Sequence, residues 1–320
     1  MLLGKLHIVG GGAIGSLIAA SAQKNGVPYN CYPRDRKSMP SWAQWQDGQT
    51  TMLKPAKFEP VTLAETDVLI LPLKVYQLKA ALLKWLPYLT QQPTVVLLHN
   101  GMGGLEAATE LLGCDYPLLL ATTSHGALKV KASTGDVYVQ YTGVGSTQIG
   151  APQIYAPSCD SPPPGTLSAL SQKKPQLANA IAALHDALPP VQYQGNILKA
   201  LWTKLSVNAV INPLTALHNI QNKYIADAQF EQSRNAICDE FTQVANAYGL
   251  EFDAQVVLEN VLSVAKATGE NYSSMHQDVA HGRQTEIDAI NGYIVYMATK
   301  KGIPVPENTL LVARVKALKL

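Results

Sequence analysis

Three residues spaced one helical turn apart, Lys204, Asn208 and Asn212, stand out in the segment LWTKLSVNAVINPLTALHN, which runs from Leu201 to Asn219. Positions i, i+4 and i+8 stack on one face of an α-helix, and Thr215 and Asn219 continue the stripe. Asn in a helix interior costs roughly half a kcal/mol or more against Ala, whereas a solvated face is cheaply filled by Glu, Lys, Gln or Arg. The stripe is therefore read as a hydrogen-bonding surface for a polar ligand. Pro213 has no N–H to continue the helical ladder, so a kink is expected just after the asparagines.

A glycine loop offers a second chemistry. The stretch LHIVGGGAIGSLIAASAQKNG holds Gly10, Gly12 and Gly15 in G-x-G-x-x-G spacing, after an apolar strand and at the start of an amphipathic helix that Gly26 stops. In a dinucleotide site the first glycine makes the tight turn, the second lets backbone approach a pyrophosphate, and the third lets helix and strand pack closely. A glycine-rich turn without a ligand is the alternative, and the strand before and helix after favour the dinucleotide. At the end of the second strand an acidic residue would bind the ribose of NAD, whereas Arg accommodates the extra phosphate of NADP. The chain reads NCYPRDR there, with Arg34 at the deciding position and Arg36 close behind, so NADP is favoured. Asp35 turned inward, or Arg34 as a solvated loop residue, are the competing readings.

Lys74 and Gln77 in LPLKVYQ, and Asn100 in LLHNGMG, fall just past two further strand ends. Ligands of open α/β sheets bind outside the carboxyl ends of the strands, so these residues face one crevice. An exposed lysine at a helix start and a turn-forming Asn before Gly101 are the plainer readings. A third polar cluster fills ENYSSMHQDVAHGRQTEIDAINGYIV, where Asn271, Ser273, Ser274, Asp278, Arg283, Glu286 and Asn291 lie within a stretch short of Lys. Thr285 is expected to cap the helix that begins EIDAING, leaving Glu286 in the first turn and able to reach a neighbour.

The elements that must position these residues follow from periodicity. The first half alternates the apolar runs LHIV, PYNCY, VLILPLK and TVVLLHN with helical patterns, the rhythm of βαβ units and a parallel sheet buried on both faces. Pro72 removes a ladder N–H, so its strand should be bulged or end there. The segment GDVYVQYTGVGSTQIGAP alternates between glycine turns and is read as antiparallel strands closing the sheet. From Pro157 to Pro175 the Ser, Pro and Gly content indicates an irregular exposed loop. Helices are then expected over 176–188, 197–219, 228–248, 254–268, 285–301 and 307–316. This makes an α/β fold, with a Rossmann-type dinucleotide-binding domain over 1–195 and an all-helical substrate and catalytic domain over 196–320.

Bulk properties narrow the partners. With 320 residues, 47% hydrophobic and 15% charged, the chain has enough apolar content for two buried cores. A net charge of +2 without an arginine-rich run argues against nucleic acid and for a small polar ligand. Cys31, Cys114, Cys159 and Cys238 are scattered, form no CxxC pair, and suggest neither a disulfide framework nor a metal site. A reducing cytoplasm is the simplest compartment. The apolar N-terminus with ASA at Ala20 to Ala22 imitates a secretory leader, but GGGAIG interrupts it and a strand and helix fit better. No stretch of 18 uncharged apolar residues suggests a membrane span.

Taken together the motifs resemble the ketopantoate reductases (2-dehydropantoate 2-reductases), NADPH-dependent enzymes of pantothenate (vitamin B5) biosynthesis. The resemblance runs from GGGAIG through LKVYQ, HNGM, TTSHGA, LWTKLSVNAVINPLTAL, NYSSMHQD and GRQTEIDAINGYIV to GIPVPEN, nearly the whole chain. The glycine loop alone is unspecific; K-x-x-x-N-x-x-x-N-P combined with SSM-x-Q-D and TEID-x-ING is far more so. Pro72, the SPPPG segment and His276, where an apolar residue is more usual, depart from the family pattern. The resemblance implies Lys204 as proton donor and Glu286 as its partner, with Asn208, Asn212, Asn222, Asn271 and Ser274 holding a small 2-keto acid. It implies an NADPH site lined by Gly10, Gly11, Gly12, Ala13, Ile14, Gly15, Arg34, Lys74, Asn100 and Ala127; the oligomeric state is left open between monomer and homodimer. Hydride delivery to a ketone builds negative charge on its oxygen, which a partly desolvated lysine is suited to protonate. Alternative readings are a reductase of another 2-keto acid, a 3-hydroxyacid dehydrogenase-like enzyme, and a non-catalytic NADP-binding sensor. A sensor has no need of Lys204 and Glu286.

Overall fold

Strands buried on both faces read as near-continuous apolar runs, and β1 (Leu6–Val9), β5 (Val68–Leu71) and β6 (Thr94–Leu98) are buried along their whole length, with His7 and Thr94 their polar members. The computed structural model describes residues 4–35, 39–152 and 165–318. They form two compact units, one made of the chain up to His99 with Gly104–Leu198, the other of Asn100–Gly103 with the chain from Lys199 onward.

In the first unit β1 is followed by α1 (Ala13–Lys24), β2 (Tyr29–Tyr32), β3 (Trp42–Gln44), β4 (Thr50–Met52) and β5. Then come α2 (Val75–Trp85), β6, α3 (Gly104–Leu112), β7 (Leu118–Thr123), β8 (Gly126–Lys131), β9 (Val137–Gly143) and β10 (Thr147–Gly150). The unit ends with α4 (Leu167–Lys173), α5 (Pro175–Ala187) and β11 (Val191–Tyr193). Seven strands make a sheet in the order β11-β10-β7-β6-β5-β1-β2. All neighbours from β2 to β7 are parallel, β10 joins antiparallel to β7, and β11 is parallel to β10. Strand order reverses at β1, so the carboxyl ends of β1 and β5 flank the switch point where such sheets bind ligands.

Several expectations change. Of the two strands in the segment expected to close the sheet antiparallel, only β10 joins the main sheet; β9 pairs antiparallel with β8, and the two join β3 and β4 in a second sheet, ordered β4-β3-β9-β8. Stacking of Trp42 on Tyr138, centroids 4.1 Å apart, accompanies the parallel β3–β9 pairing. Strand β5 ends at Leu71, as expected from Pro72. Part of the expected irregular loop over 157–175 lies outside the described residues, and its end is helical: Thr166 Oγ1 accepts from the Ala169 N–H and starts α4. One ordinary cap outweighs a poor composition over a single short helix.

The second unit holds α6 (Ile197–His218), α7 (Glu231–Asn246), α8 (Ala254–Ala267), α9 (Ser274–Ala280), α10 (Asn291–Lys301) and α11 (Pro306–Lys316). The first two residues of α6 count with the first unit. Helix α7 starts three residues later than expected, after short 3-10 turns at Asn222–Ala226 and Ala228–Phe230. The helix expected over 285–301 begins only at Asn291, and α9, read as loop, is a separate helix capped by Ser273 Oγ at the His276 N–H. Among the described residues no helix is long and apolar enough to cross a membrane, and no cluster of His, Cys, Asp or Glu could hold a metal ion. Cys31, Cys114 and Cys238 are free thiols; Cys159 lies outside the described residues.

Candidate active site

The three motif glycines are demanded by different things. Gly10 has φ +101°, and a Cβ there would lie 2.7 Å from Leu73 Cδ2. At Gly15 a Cβ would lie 2.7 Å from the Gly10 carbonyl oxygen and 3.1 Å from Pro72 Cγ, so close packing of α1 on the strand ends excludes a side chain. Pro72 thereby acquires a place: it is packed onto the β1–α1 turn. Gly12 is exposed, has φ −70° and would meet nothing within 4 Å. The protein itself does not require glycine at position 12, which is what a ligand drawn close to the backbone leaves behind. Gly12 is the N-cap of α1, and no side chain caps the helix and no acidic residue sits in its first turn. The N–H groups of the first turn, including Ala13 and Ile14, are thus arranged to take an anion at the positive end of the helix dipole. Gly11 is close-packed: a Cβ would be 3.2 Å from Pro33 Cβ and 3.3 Å from Met39 Sδ. These features fit the pyrophosphate of a dinucleotide.

Arg34 follows the end of β2, its side chain 88% exposed and 3.6 Å from the Asp35 carboxylate. Arg36 lies outside the described residues. Lys74 is the N-cap of α2; its N–H donates to Gln77 Oε1 at 3.3 Å, so Gln77 serves the helix start. Ala127 stands in β8 opposite Tyr141, packed with Ala20, Ala43 and Val139. Asn100 counts with the second unit, because the Met102 N–H donates to the Ala289 carbonyl at 2.8 Å and Gly101, at φ +74°, passes against the same carbonyl.

Helix α6 is apolar on nearly all sides and its long side chains, Trp202, Leu205, Val210 and Leu214 among them, are buried. A helix of that kind lies inside its domain, so its polar stripe is forced into a poorly hydrated setting. Lys204 and Asn208 are half-buried and Asn212 is buried. Desolvation lowers the Lys204 ammonium from the usual lysine range to about 8, and the Glu286 carboxylate acts in the opposite direction. Glu286 is itself buried. The rest of the stripe is structural. Thr215 is buried and its hydroxyl bonds the Ile211 and Asn212 carbonyls and Ser273 Oγ. Asn219 lies beyond the helix in the left-handed region, φ +53°, where Asn commonly ends helices, and its Oδ1 contacts His276 Nε2 at 2.7 Å.

Glu286 sits in a tight turn. The Ala289 and Ile290 N–H groups donate to its carbonyl at 3.0 and 3.1 Å, and a 3-10 turn over Ile287–Ala289 leads into α10. Thr285, expected as a cap, is buried six residues ahead of α10 and does not cap it. Ser274 and Asn271 are exposed at the start of α9 and in the loop before it. Asn222 is buried; its Nδ2 donates to Thr268 Oγ1 at 2.9 Å, its N–H to the Asn271 carbonyl, and its Oδ1 has no partner among the described residues. His276 is buried and stacks on Tyr272, centroids 4.3 Å apart, so packing accommodates this departure from the family pattern. Sequence reading missed Glu240 of α7 and Asn308 of α11, both buried and hydrogen-bonded to each other. One of three acids in an amphipathic helix and an Asn two residues after a proline carry no local mark of burial.

Residues 6–153 match the family model described as ketopantoate reductase PanE/ApbA, and residues 196–319 match the model of its C-terminal part. The 2-dehydropantoate 2-reductase of Vibrio cholerae serotype O1 is 36% identical over 315 residues, covering 98% of this chain and 97% of that one. The 2-dehydropantoate 2-reductase of Escherichia coli O157:H7 is 34% identical over 313 residues, covering 98% and 94%. Among solved structures, a D-mandelate dehydrogenase with NADH and anilino(oxo)acetate matches at a TM-score of 0.80, covering 98% of each chain. At 22% identity that likeness concerns the fold alone.

Proposed function

The chain belongs to the ketopantoate reductase family, and from that membership we propose that it reduces 2-dehydropantoate to pantoate with NADPH, a step of pantothenate biosynthesis. The observation that carries the reading is Lys204, a lysine desolvated to a pKa of about 8 with the Glu286 carboxylate acting on it. A binding module has no use for a lysine held at that cost. When bound, NADPH supplies the hydride that goes to the ketone carbon. The Lys204 ammonium hydrogen-bonds the ketone oxygen and gives it a proton as negative charge develops there, a contribution typically of about 10²–10⁴-fold. Glu286 keeps the ammonium charged and oriented, and Asn208 and Asn212 add neutral donors and acceptors without a competing charge.

The dinucleotide is assigned to Gly10, Gly11, Gly12, Ala13, Ile14 and Gly15, with Arg34 on the extra phosphate and Lys74, Asn100 and Ala127 as further lining. Arg34 is exposed and only loosely paired, so little is given up when it turns to a phosphate. Losing one charge-assisted contact costs about 1.5–3 kcal/mol. Arg34→Ala is expected to raise the apparent constant for NADPH by that amount and to leave NADH nearly unchanged. Equal weakening of both cofactors in steady-state titrations would remove Arg34 from the phosphate site.

Ser274 and Asn271 are assigned to the substrate carboxylate, and the buried, unpartnered Asn222 Oδ1 to a hydroxyl donor of the substrate. Neutral donors hold the carboxylate while Lys204 remains available to the ketone. Ser274→Ala is expected to weaken ketopantoate by about 1–3 kcal/mol. Ketopantoyl lactone, which lacks the free carboxylate, should be a poor substrate and indifferent to this change; efficient reduction of the lactone would show that the carboxylate is not what is read. NADPH consumption with ketopantoate set against a panel of other 2-keto acids tests the proposal as a whole, and preference for a different acid would replace the substrate while keeping the reaction.

A further inference from the structure

Pro213 has no N–H, so the carbonyl four residues earlier, that of Ala209, loses its helical donor although α6 runs on from Ile197 to His218. Inside a buried helix such a carbonyl needs another partner. Asn291 Nδ2 donates to it at 2.9 Å, from a side chain fully excluded from solvent. Ala209 lies next to Asn208, and Pro213 lies next to Asn212. The bond therefore falls within the stretch of α6 that carries the polar stripe.

The other end of Asn291 leads to the second half of the candidate pair. Asn291 follows Glu286 by five residues, across the turn closed by the Ala289 and Ile290 N–H groups on the Glu286 carbonyl. Gly292 belongs to the same close packing, since a Cβ there would lie 3.3 Å from Asp288 Oδ1. The orientation of the Asn291 amide is fixed from behind: Nδ2 also donates to Asn308 Oδ1 at 2.9 Å. The Asn308 Nδ2 and N–H groups in turn donate to Glu240 Oε2 at 2.7 and 2.9 Å. The Asn291 Oδ1 has no partner among the described residues, so the side chain is held for its donors. A T-shaped contact between Tyr293 and Trp202, centroids 6.0 Å apart, adds a second tie between α10 and α6.

We propose that Asn291 is a positioning residue for the reaction: it supplies the hydrogen bond that Pro213 withholds from α6 and so pins the Glu286 turn to the helix carrying Lys204, Asn208 and Asn212. The role rests on the reductase reading above. Two variants separate the pin from a mere repair of the helix. Asn291→Ala removes both, whereas Asn291→Ala with Pro213→Ala returns a backbone N–H to the Ala209 carbonyl and leaves the pin broken.

Expected for Asn291→Ala is a fall in kcat of about 10²-fold, the order of loss from a small misplacement of reacting groups, with the KM for NADPH unchanged. Hydrogen exchange should quicken both in α6 around residues 209–214 and in the turn over 286–290. In the double variant exchange in α6 should return to the parent level, while the turn remains fast and kcat remains low. Full recovery of kcat in the double variant, or a turn that exchanges as slowly as in the parent, would overturn the pin. If Asn291→Ala fails to fold, the double variant with its complete helical ladder decides the question alone. Failure of the parent protein to reduce ketopantoate would instead sink the reductase reading, and the exchange of the turn would still report on the pin.

Discussion

Lys204→Ala should lower turnover of ketopantoate by about 10²–10⁴-fold, the usual worth of a positioned general acid, while NADPH binding followed by nucleotide fluorescence stays near the parent value. The split is expected because the proposed role has the ammonium act on the substrate oxygen as charge develops, and the residues assigned to the cofactor belong to a different part of the sequence. The parent protein carries a companion signature in its pH profile. Burial lowers the Lys204 pKa to about 8, with Glu286 opposing the shift. Reduction needs the protonated form, so kcat/KM for ketopantoate should fall as pH rises through about 8. Oxidation of pantoate needs the neutral amine and should rise over the same interval. In Lys204→Ala this limb should be absent from the residual activity. Turnover within a few-fold of the parent, or an unchanged alkaline limb in the variant, would move the proton donor elsewhere.

The features legible in the sequence were those whose physical cause is local. Gly10, Gly12 and Gly15 run from the end of a largely apolar, fully buried strand into the first turn of a helix, so the strand, the turn and the helix could be read together. The Lys204–Asn208–Asn212 stripe was legible because asparagines cost a helix more than the residues that usually solvate one. Features decided by distant partners were not legible. Thr285 has the look of a cap, yet α10 starts at Asn291, because the chain first closes a turn on the Glu286 carbonyl and then commits the Asn291 side chain to Ala209, 82 residues away. Asn219 fits the stripe by spacing, but α6 ends at His218, and the residue adopts the left-handed conformation instead. The pairing of β3 with β9 joins residues such as Ala43 and Val139, and nothing in either short strand names the other. The Ser- and Pro-rich composition before α4 hid a helix of seven residues whose start depends on the single side chain of Thr166.

Gly12→Ala should separate the cofactor from the fold in a way that no other motif glycine can. At Gly15 a methyl group would be forced within 2.7 Å of the Gly10 carbonyl oxygen, and at Gly10 the backbone stands at φ +101°, so substitutions there strain the protein before any ligand arrives. At Gly12 the backbone is extended, with φ −70° and ψ 173°, and among the described residues the methyl meets no neighbouring element within 4 Å. The thermal midpoint of the Gly12→Ala protein should therefore remain within a degree or two of the parent, since the change of N-cap from Gly to Ala is worth less than about 1 kcal/mol. In the proposed site the pyrophosphate approaches the backbone across that open space, and a methyl placed there would displace it from the N–H groups of the first turn of α1. Each lost charge-assisted bond is worth about 1.5–3 kcal/mol, so the dissociation constant for NADPH should rise by roughly 10²-fold when one or two are lost. Adenosine 2′-monophosphate, which presents the phosphate assigned to Arg34 but has no pyrophosphate, should bind the Gly12→Ala and parent proteins alike. Undiminished NADPH affinity in a stably folded Gly12→Ala protein would show that the glycine loop cradles no pyrophosphate and that the uncapped start of α1 serves something else.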